Sequence, residues 1–217
     1  VAPKGYKRKA RPAGVRHPPS GGLRSIPARP YLDFVIQYCK LGGTKNMNAV
    51  LETSRLLLRE LTLDDAEKLS LVLSDPISMR YYPEAFSAEK VRRWILWNID
   101  NYRAHGFGLW AVILKEENEL IGDCGITLQN IEGELVPEIG YHIRNTYCGK
   151  GYASEAAKAC IDFAFGTAGY DAVYSYMKED NIPSRRVAEK NGMTFVRCFQ
   201  KIIDGHTITE ALYMIEK

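Results

Sequence analysis

Glu138-Ile139-Gly140-Tyr141-His142-Ile143 and, four residues further on, Cys148-Gly149-Lys150-Gly151-Tyr152-Ala153-Ser154-Glu155-Ala156 decide how this chain is read. The first stretch has the length and composition of a strand; the second is a glycine turn running into a helix. Glycines at 149 and 151 let successive backbone N–H groups turn toward one point, and the helix start adds about half a positive charge there. That arrangement suits a phosphate or pyrophosphate, and it serves equally as a plain strand-to-helix turn. Neither GxxxxGK[ST] nor the full GxGxxG is met, so the nucleotide-binding loops carrying those patterns are excluded.

Working outward toward the N-terminus, residues 109–114 and 120–128 read as two strands around a turn at Glu116–Glu119, and a polar loop leads from them into strand 136–143. Before them come two helices. One starts at Thr62-Leu63-Asp64-Asp65, where Thr62 can cap and Asp65 can return the bond, and ends near Pro76. The other runs from Ser87 to about Arg103 with Val91, Trp94, Ile95, Ile99 and Tyr102 at helical spacing. Residues 55–59 make a first strand. Toward the C-terminus, the helix over 153–165 presents Ala156, Ala159, Cys160 and Phe163, a narrow face suited to lying close on a sheet. Strand 172–177 follows, then a short helix opened by Asn181-Ile182-Pro183-Ser184. A hairpin of 194–203 and 206–215 on Asp204-Gly205 closes the chain. The pattern is one α+β domain with a mixed sheet.

The 217 residues carry 29 Lys plus Arg and 26 Asp plus Glu, a formal charge of +3 that hides a split. Residues 1–46 hold ten bases and one acid (+9), and six of the ten prolines lie in the first 30 residues; residues 47–217 carry −6. Such a leader cannot bury enough apolar surface to offset its ordering entropy. We expect it to be disordered or outside the native product, with Met47 as first residue. A basic arm for nucleic acid or an organelle transit peptide is the alternative. No apolar run approaches the ~18–20 residues of a membrane span. Cys39, Cys124, Cys148, Cys160 and Cys198 have no CxxC or His spacing that suits zinc, so we expect no metal and reduced thiols in a cytoplasmic protein.

Together, the stretches at 138–143 and 149–156, Asn181-Ile182-Pro183-Ser184 and Glu189-Lys190-Asn191-Gly192-Met193 resemble the GNAT acetyltransferase superfamily, over about residues 52–215. Within it they look like the Rim-like branch of ribosomal-protein N-terminal acetyltransferases. The resemblance implies a mixed sheet with a splayed strand pair flanked by helices, and acyl transfer from acetyl-CoA to a primary amine by direct attack in a ternary complex. It implies that the backbone of Tyr141, His142 and Ile143 pairs with the pantetheine amides, and that N–H groups from Cys148, Gly149, Lys150, Gly151, Tyr152 and Ala153 cradle the pyrophosphate. Asn181 is expected on a pantetheine amide, or simply as a helix cap. Lys150 either reaches a phosphate or is a solvated loop lysine.

The amine must be neutral to attack, so a base is needed near neutral pH. Glu138 is the candidate, with a solvent-facing strand residue, or one that merely attracts a cationic substrate, as the bland readings. The tyrosine that many relatives place seven residues after the Asn is here Ala188. Ser184 is expected to hydrogen-bond the leaving thiol instead, unless it only decorates the helix. Tyr81, Tyr82, Phe86 and Trp110 are candidate acceptor walls, although Trp94, Trp97 and Trp110 each read more simply as core, and His105 and His142 as structural. A CoA-binding module without turnover and a nucleic-acid-binding protein acting through the leader are the rival readings. The partners expected are acetyl-CoA and an amine, with no membrane, in a monomer or homodimer.

Overall fold

The computed structural model describes residues 49–203 and 206–217. The leader and the Asp204-Gly205 turn lie outside the described residues. Eight strands form one sheet in the order β1-β2-β3-β4-β5-β6-β8-β7. They are β1 (Ala49–Glu52), β2 (Leu56–Arg59), β3 (Leu109–Leu114), β4 (Glu119–Ile131), β5 (Glu134–Ile143), β6 (Ala172–Lys178), β7 (Thr194–Ile203) and β8 (His206–Glu216). Every neighbouring pair is antiparallel except β5 and β6, which are parallel. The mixed α+β sheet expected from the sequence is the one observed.

Helices α1 (Ala66–Leu73) and α2 (Ala88–His105) cover one face, burying Leu69, Val72, Leu73, Val91 and Ile95 against Ala111, Ile113 and Leu120. Helix α3 (Tyr152–Gly166) covers the other, where Ala156, Ala157, Cys160 and Ala164 let its backbone lie close to Leu56, Leu58 and Cys124. Ala157, rather than Ala159, completes that face. Helix α4 (Ile182–Lys190) packs beside α3 with Ala188 turned into the core. At ~1.5–3 kcal/mol for each large apolar side chain removed from water, these two faces supply most of what holds the sheet.

Three local outcomes differ from expectation. Strand β1 adds an edge before β2, too short at four residues to carry its own period. The polar loop before β5 is a two-residue turn: Glu132 (φ 53°) and Gly133 (φ 96°) take the left-handed conformations of a type I′ hairpin. Helix α2 runs to His105 and ends where Gly106, at φ 79°, turns the chain. The reciprocal cap at Thr62 is present, with the Thr62 N–H donating to Asp65 Oδ2 at 2.8 Å. Asp65 also takes Arg59 by two bonds of 2.7 Å each.

Strand β5 is where the sheet opens. It pairs with β4 along its whole length but with β6 at one position, Glu138 opposite Tyr174. From Ile139 to Ile143 its other edge has no ladder partner among the described residues. This is the splayed pair. It is held at its root by the Ser175 hydroxyl, which donates to the Ile139 carbonyl at 3.0 Å. Gly122 fixes the opposite edge, since a Cβ there would sit 2.0 Å from the His142 oxygen.

Candidate active site

The gap between β5 and β6 opens into a cavity of about 910 Å³. It runs from the start of α3, past the free edge of β5, to strands β7 and β8. Of the expected cofactor residues, Tyr141, His142, Ile143, Cys148, Gly149, Gly151, Tyr152, Ala153, Asn181 and Ser184 all line it. Lys150 does not; its ammonium rests 5.2 Å from the Tyr147 ring, which favours the solvated-loop reading.

The glycine turn has the shape the sequence called for. Gly149 (φ 77°) and Gly151 (φ 84°) are both left-handed, a conformation costly for other residues, and nothing lies within 4 Å of a Cβ added at 149. Gly151 caps α3, whose first N–H groups are free of intrahelical partners and face this concavity. A phosphate-bearing group therefore fits the residues present. A brace that the sequence did not reveal holds the turn. Glu155, in the first turn of α3, accepts from Thr53 Oγ1 (2.6 Å), Arg55 N (3.0 Å) and Arg55 Nε (2.7 Å), and Arg55 Nη1 donates on to the Lys150 carbonyl (3.0 Å). Burial alone would raise the Glu155 carboxyl, but these bonds hold it down to about 2.

At the other end of the gap, Asn181 caps α4: its side-chain oxygen accepts from the Ser184 N–H at 3.2 Å. The Tyr141 hydroxyl crosses the gap to the Ser184 carbonyl at 2.9 Å. Position 188 faces the core and not the cavity.

Glu138 is 9% exposed and lines the cavity, so the solvent-facing reading is wrong. Its neighbour Gly140 leaves space beside it, because a Cβ there would lie 3.5 Å from Glu138 Oε2. Thr127 Oγ1 donates to Oε2 at 2.8 Å, and Gln129 Nε2 supports Thr127 at 3.1 Å. Burial pushes the Glu138 carboxyl above the usual carboxylate range, against the opposing pull of the Thr127 bond, Lys201 and His142.

Four residues along the same face of β5, His142 sits in a chain of hydrogen bonds. Its Nδ1 lies 2.7 Å from Oδ1 of the fully buried Asp123, whose Oδ2 accepts from Trp94 Nε1 at 2.9 Å. The Asp123 carboxylate accepts from Nδ1–H, so in the neutral ring Nε2 accepts from the Tyr82 hydroxyl at 2.7 Å and in the charged ring it donates to that oxygen. Burial works against the charged imidazole, but the Asp123 carboxylate and Glu138 outweigh it and raise its pKa above the ordinary value. His142 is thus more than a backbone contact. Sequence reasoning missed Asp123, since a lone Asp inside an apolar strand gives no local signal beyond its own rarity.

The aromatic walls come out partly as expected. Tyr81, Tyr82 and Phe86 line the cavity. Trp110 does not: it is fully buried under α3, edge-on to Phe163 at 5.3 Å. β3 is buried on both faces, so its inward residue meets core rather than cleft. Trp94 and Trp97 of α2, read as core from sequence, are the tryptophans that line the cleft. Lys201, Glu210 and Tyr176 also line it and were missed, because three different strands bring them there. Among the described residues no His/Cys/Asp/Glu cluster could hold a metal, and no helix is long and apolar enough to cross a membrane.

Comparison with known proteins agrees with this geometry. The family model described as "Acetyltransferase (GNAT) domain" matches residues 55–194. The chain is similar to the uncharacterized protein YkkB of Bacillus subtilis, 36% identical over 157 residues, covering 72% of this chain and 91% of YkkB. It is also similar to the crystal structure of a GNAT-family acetyltransferase from Bacillus anthracis, at 32% identity and a TM-score of 0.65, covering 76% of this chain and 97% of that one. At the level of fold alone it resembles RimL, a ribosomal alpha-N-protein acetyltransferase solved with coenzyme A, at 20% identity and a TM-score of 0.64, covering 78% of this chain and 98% of RimL. A splayed parallel pair, a glycine turn capping a helix and a matched family model lead to one conclusion: the chain belongs to the GNAT family and is an acetyltransferase of the kind that uses acetyl-CoA.

Proposed function

We propose that the protein transfers an acetyl group from acetyl-CoA to a primary amine, by direct attack in a ternary complex. The observation that carries this reading is the single β5–β6 pair at Glu138, which leaves a free strand edge and a buried carboxyl on one cavity. The N–H groups of the turn 148–153 hold the pyrophosphate at the start of α3. The free edge of Tyr141, His142 and Ile143 orients the pantetheine arm, and an N–H of that edge stabilises charge on the acyl oxygen. Glu138 accepts the proton that the amine sheds as its nitrogen bonds to the acyl carbon. Burial raises its pKa, which makes it a stronger base than an ordinary carboxylate. Ser184, at the head of α4, donates a hydrogen bond to the departing sulfur. The Asn181–Ser184 spacing and Ala188 support a Rim-like enzyme within the family. It acts in the cytoplasm as a monomer or homodimer, on a protein N-terminus or a small amine.

Ala188 also favours a second reading, a CoA-binding module without turnover. Acetyl-CoA titration followed by thiol release on a panel of N-terminal peptides and small amines separates the two. Binding with turnover on any amine supports the enzyme; binding with none supports the module; no CoA binding removes both.

A further inference from the structure

The inner end of the cleft holds a carboxyl that the proposed chemistry does not use. Glu210 lies on β8, opposite Lys178 of β6 and Phe199 of β7, and lines the cavity. It is 4% exposed, and its Oε2 is fully buried with no hydrogen-bond partner among the described residues. Leaving such an oxygen without a donor is costly, and more so when it is charged.

Among the described residues no donor reaches Glu210 Oε2. Lys201, which with Lys178 is one of two lysines here, is spent on other partners: its ammonium donates to Gln129 Oε1 at 3.1 Å and to the Tyr176 hydroxyl, and lies 4.1 Å over the Tyr176 ring. Gln129 is in turn committed to Thr127, and through it to Glu138. The end of the cleft therefore holds two carboxyls, Glu138 and Glu210, with Lys201 engaged elsewhere and Lys178, opposite Glu210, making no hydrogen bond to its Oε2. Glu138 has a hydrogen-bond donor and Glu210 has none.

We propose that Glu210 is a binding residue for the acceptor, taking a second, non-reacting cationic nitrogen while the reacting amine lies at Glu138. This rests on the acyl-transfer reading above and narrows its acceptor to amines with a further ammonium set back from the first. Both carboxyls line one cavity, so one extended diamine lying in it faces both. Protonation supports the assignment. Burial, opposed by Lys201 and Lys178 and reinforced by Glu138 and Asp180, pushes Glu210 up to about 7. Near that pH the carboxyl is part-protonated when empty, and an ammonium arriving there displaces the proton.

Calorimetric titration of the full chain tests this. Acetyl-CoA is titrated first; then putrescine and butylamine, a diamine and a monoamine of equal carbon length, are titrated into CoA-saturated protein. The structure predicts that putrescine binds about tenfold tighter or more, as a charge-assisted hydrogen bond warrants. It also predicts that putrescine releases a fraction of a proton near pH 7, read from buffers of different ionisation heat. Glu210→Gln removes both the preference and the proton release and leaves acetyl-CoA affinity unchanged, whereas Glu138→Gln keeps the preference. Equal affinity for the two amines, or a preference that survives in Glu210→Gln, overturns the proposal. The wild-type comparison decides alone if that variant does not fold. Loss of acetyl-CoA binding by the wild type would instead overturn the acyl-transfer reading itself.

Discussion

At Glu138 and His142, four residues apart on one face of β5, the surroundings set two different chemistries. Glu138 has one donor, Thr127, and burial raises its pKa; His142 has a buried carboxylate on one nitrogen and a phenol on the other. The raised pKa of His142 means that the folded state holds its proton longer than the unfolded chain. The stability this contributes is full below the unfolded value of about 6.5 and is lost as pH rises through the folded value. Asp123→Asn removes the charge that opposes burial, so the imidazole pKa should fall, as read by NMR titration of its ring proton; an unchanged pKa would contradict the assignment. The variant should also lose about 1–3 kcal/mol of stability for disturbing buried hydrogen bonds. That Glu138 and Ser184 would come to the cleft was legible, because Glu138 stands two residues before Gly140 on the strand and Ser184 three residues after Asn181. Asp123, Lys201 and Glu210 were not, because each comes from a separate strand and carries no local pattern.

At the scale of elements, the turn before α3 depends on a residue outside it. Glu155 ties α3 to Thr53, Ser54 and Arg55 ahead of β2, and Arg55 bonds the Lys150 carbonyl. Its carboxyl is depressed to about 2, so it stabilises the fold above the unfolded value of about 4.3, and that contribution is lost as pH falls toward 2. Glu155→Gln should cost about 2 kcal/mol at neutral pH, discounted for the half-exposed Arg55, and weaken acetyl-CoA binding about tenfold. Urea unfolding of both proteins from pH 7 down to pH 2 checks this: the gap should close as acid is added, and a constant gap would refute the brace. The elements themselves were readable from period and turn residues. The exceptions have physical reasons: β1 is four residues long, and β3 is buried on both faces, which hid Trp110's partners and left Trp94 and Trp97 to line the cleft.

For the whole molecule, the formal charge of +3 joins a +9 leader to a −6 domain. Among the described residues, Ala49 to Lys217, the chain forms the sheet, both core faces and a lined cleft. Deleting residues 1–46 should therefore leave acetyl-CoA affinity and turnover within about twofold, far less than one lost charged contact would cost. A larger loss in a turnover assay would assign the leader a role at the cleft. The central claim is that Glu138, in the gap between β5 and β6, takes the proton from an acceptor amine. The pH profile of kcat/KM for acetyl-CoA-dependent amine acetylation, in wild type and Glu138→Gln, tests it most directly. The account predicts an acidic limb whose midpoint lies above the ordinary carboxylate range, with rate rising as Glu138 loses its proton, and a loss of that limb with about 100-fold lower kcat in the variant. A variant with unchanged turnover and an unchanged profile would contradict it.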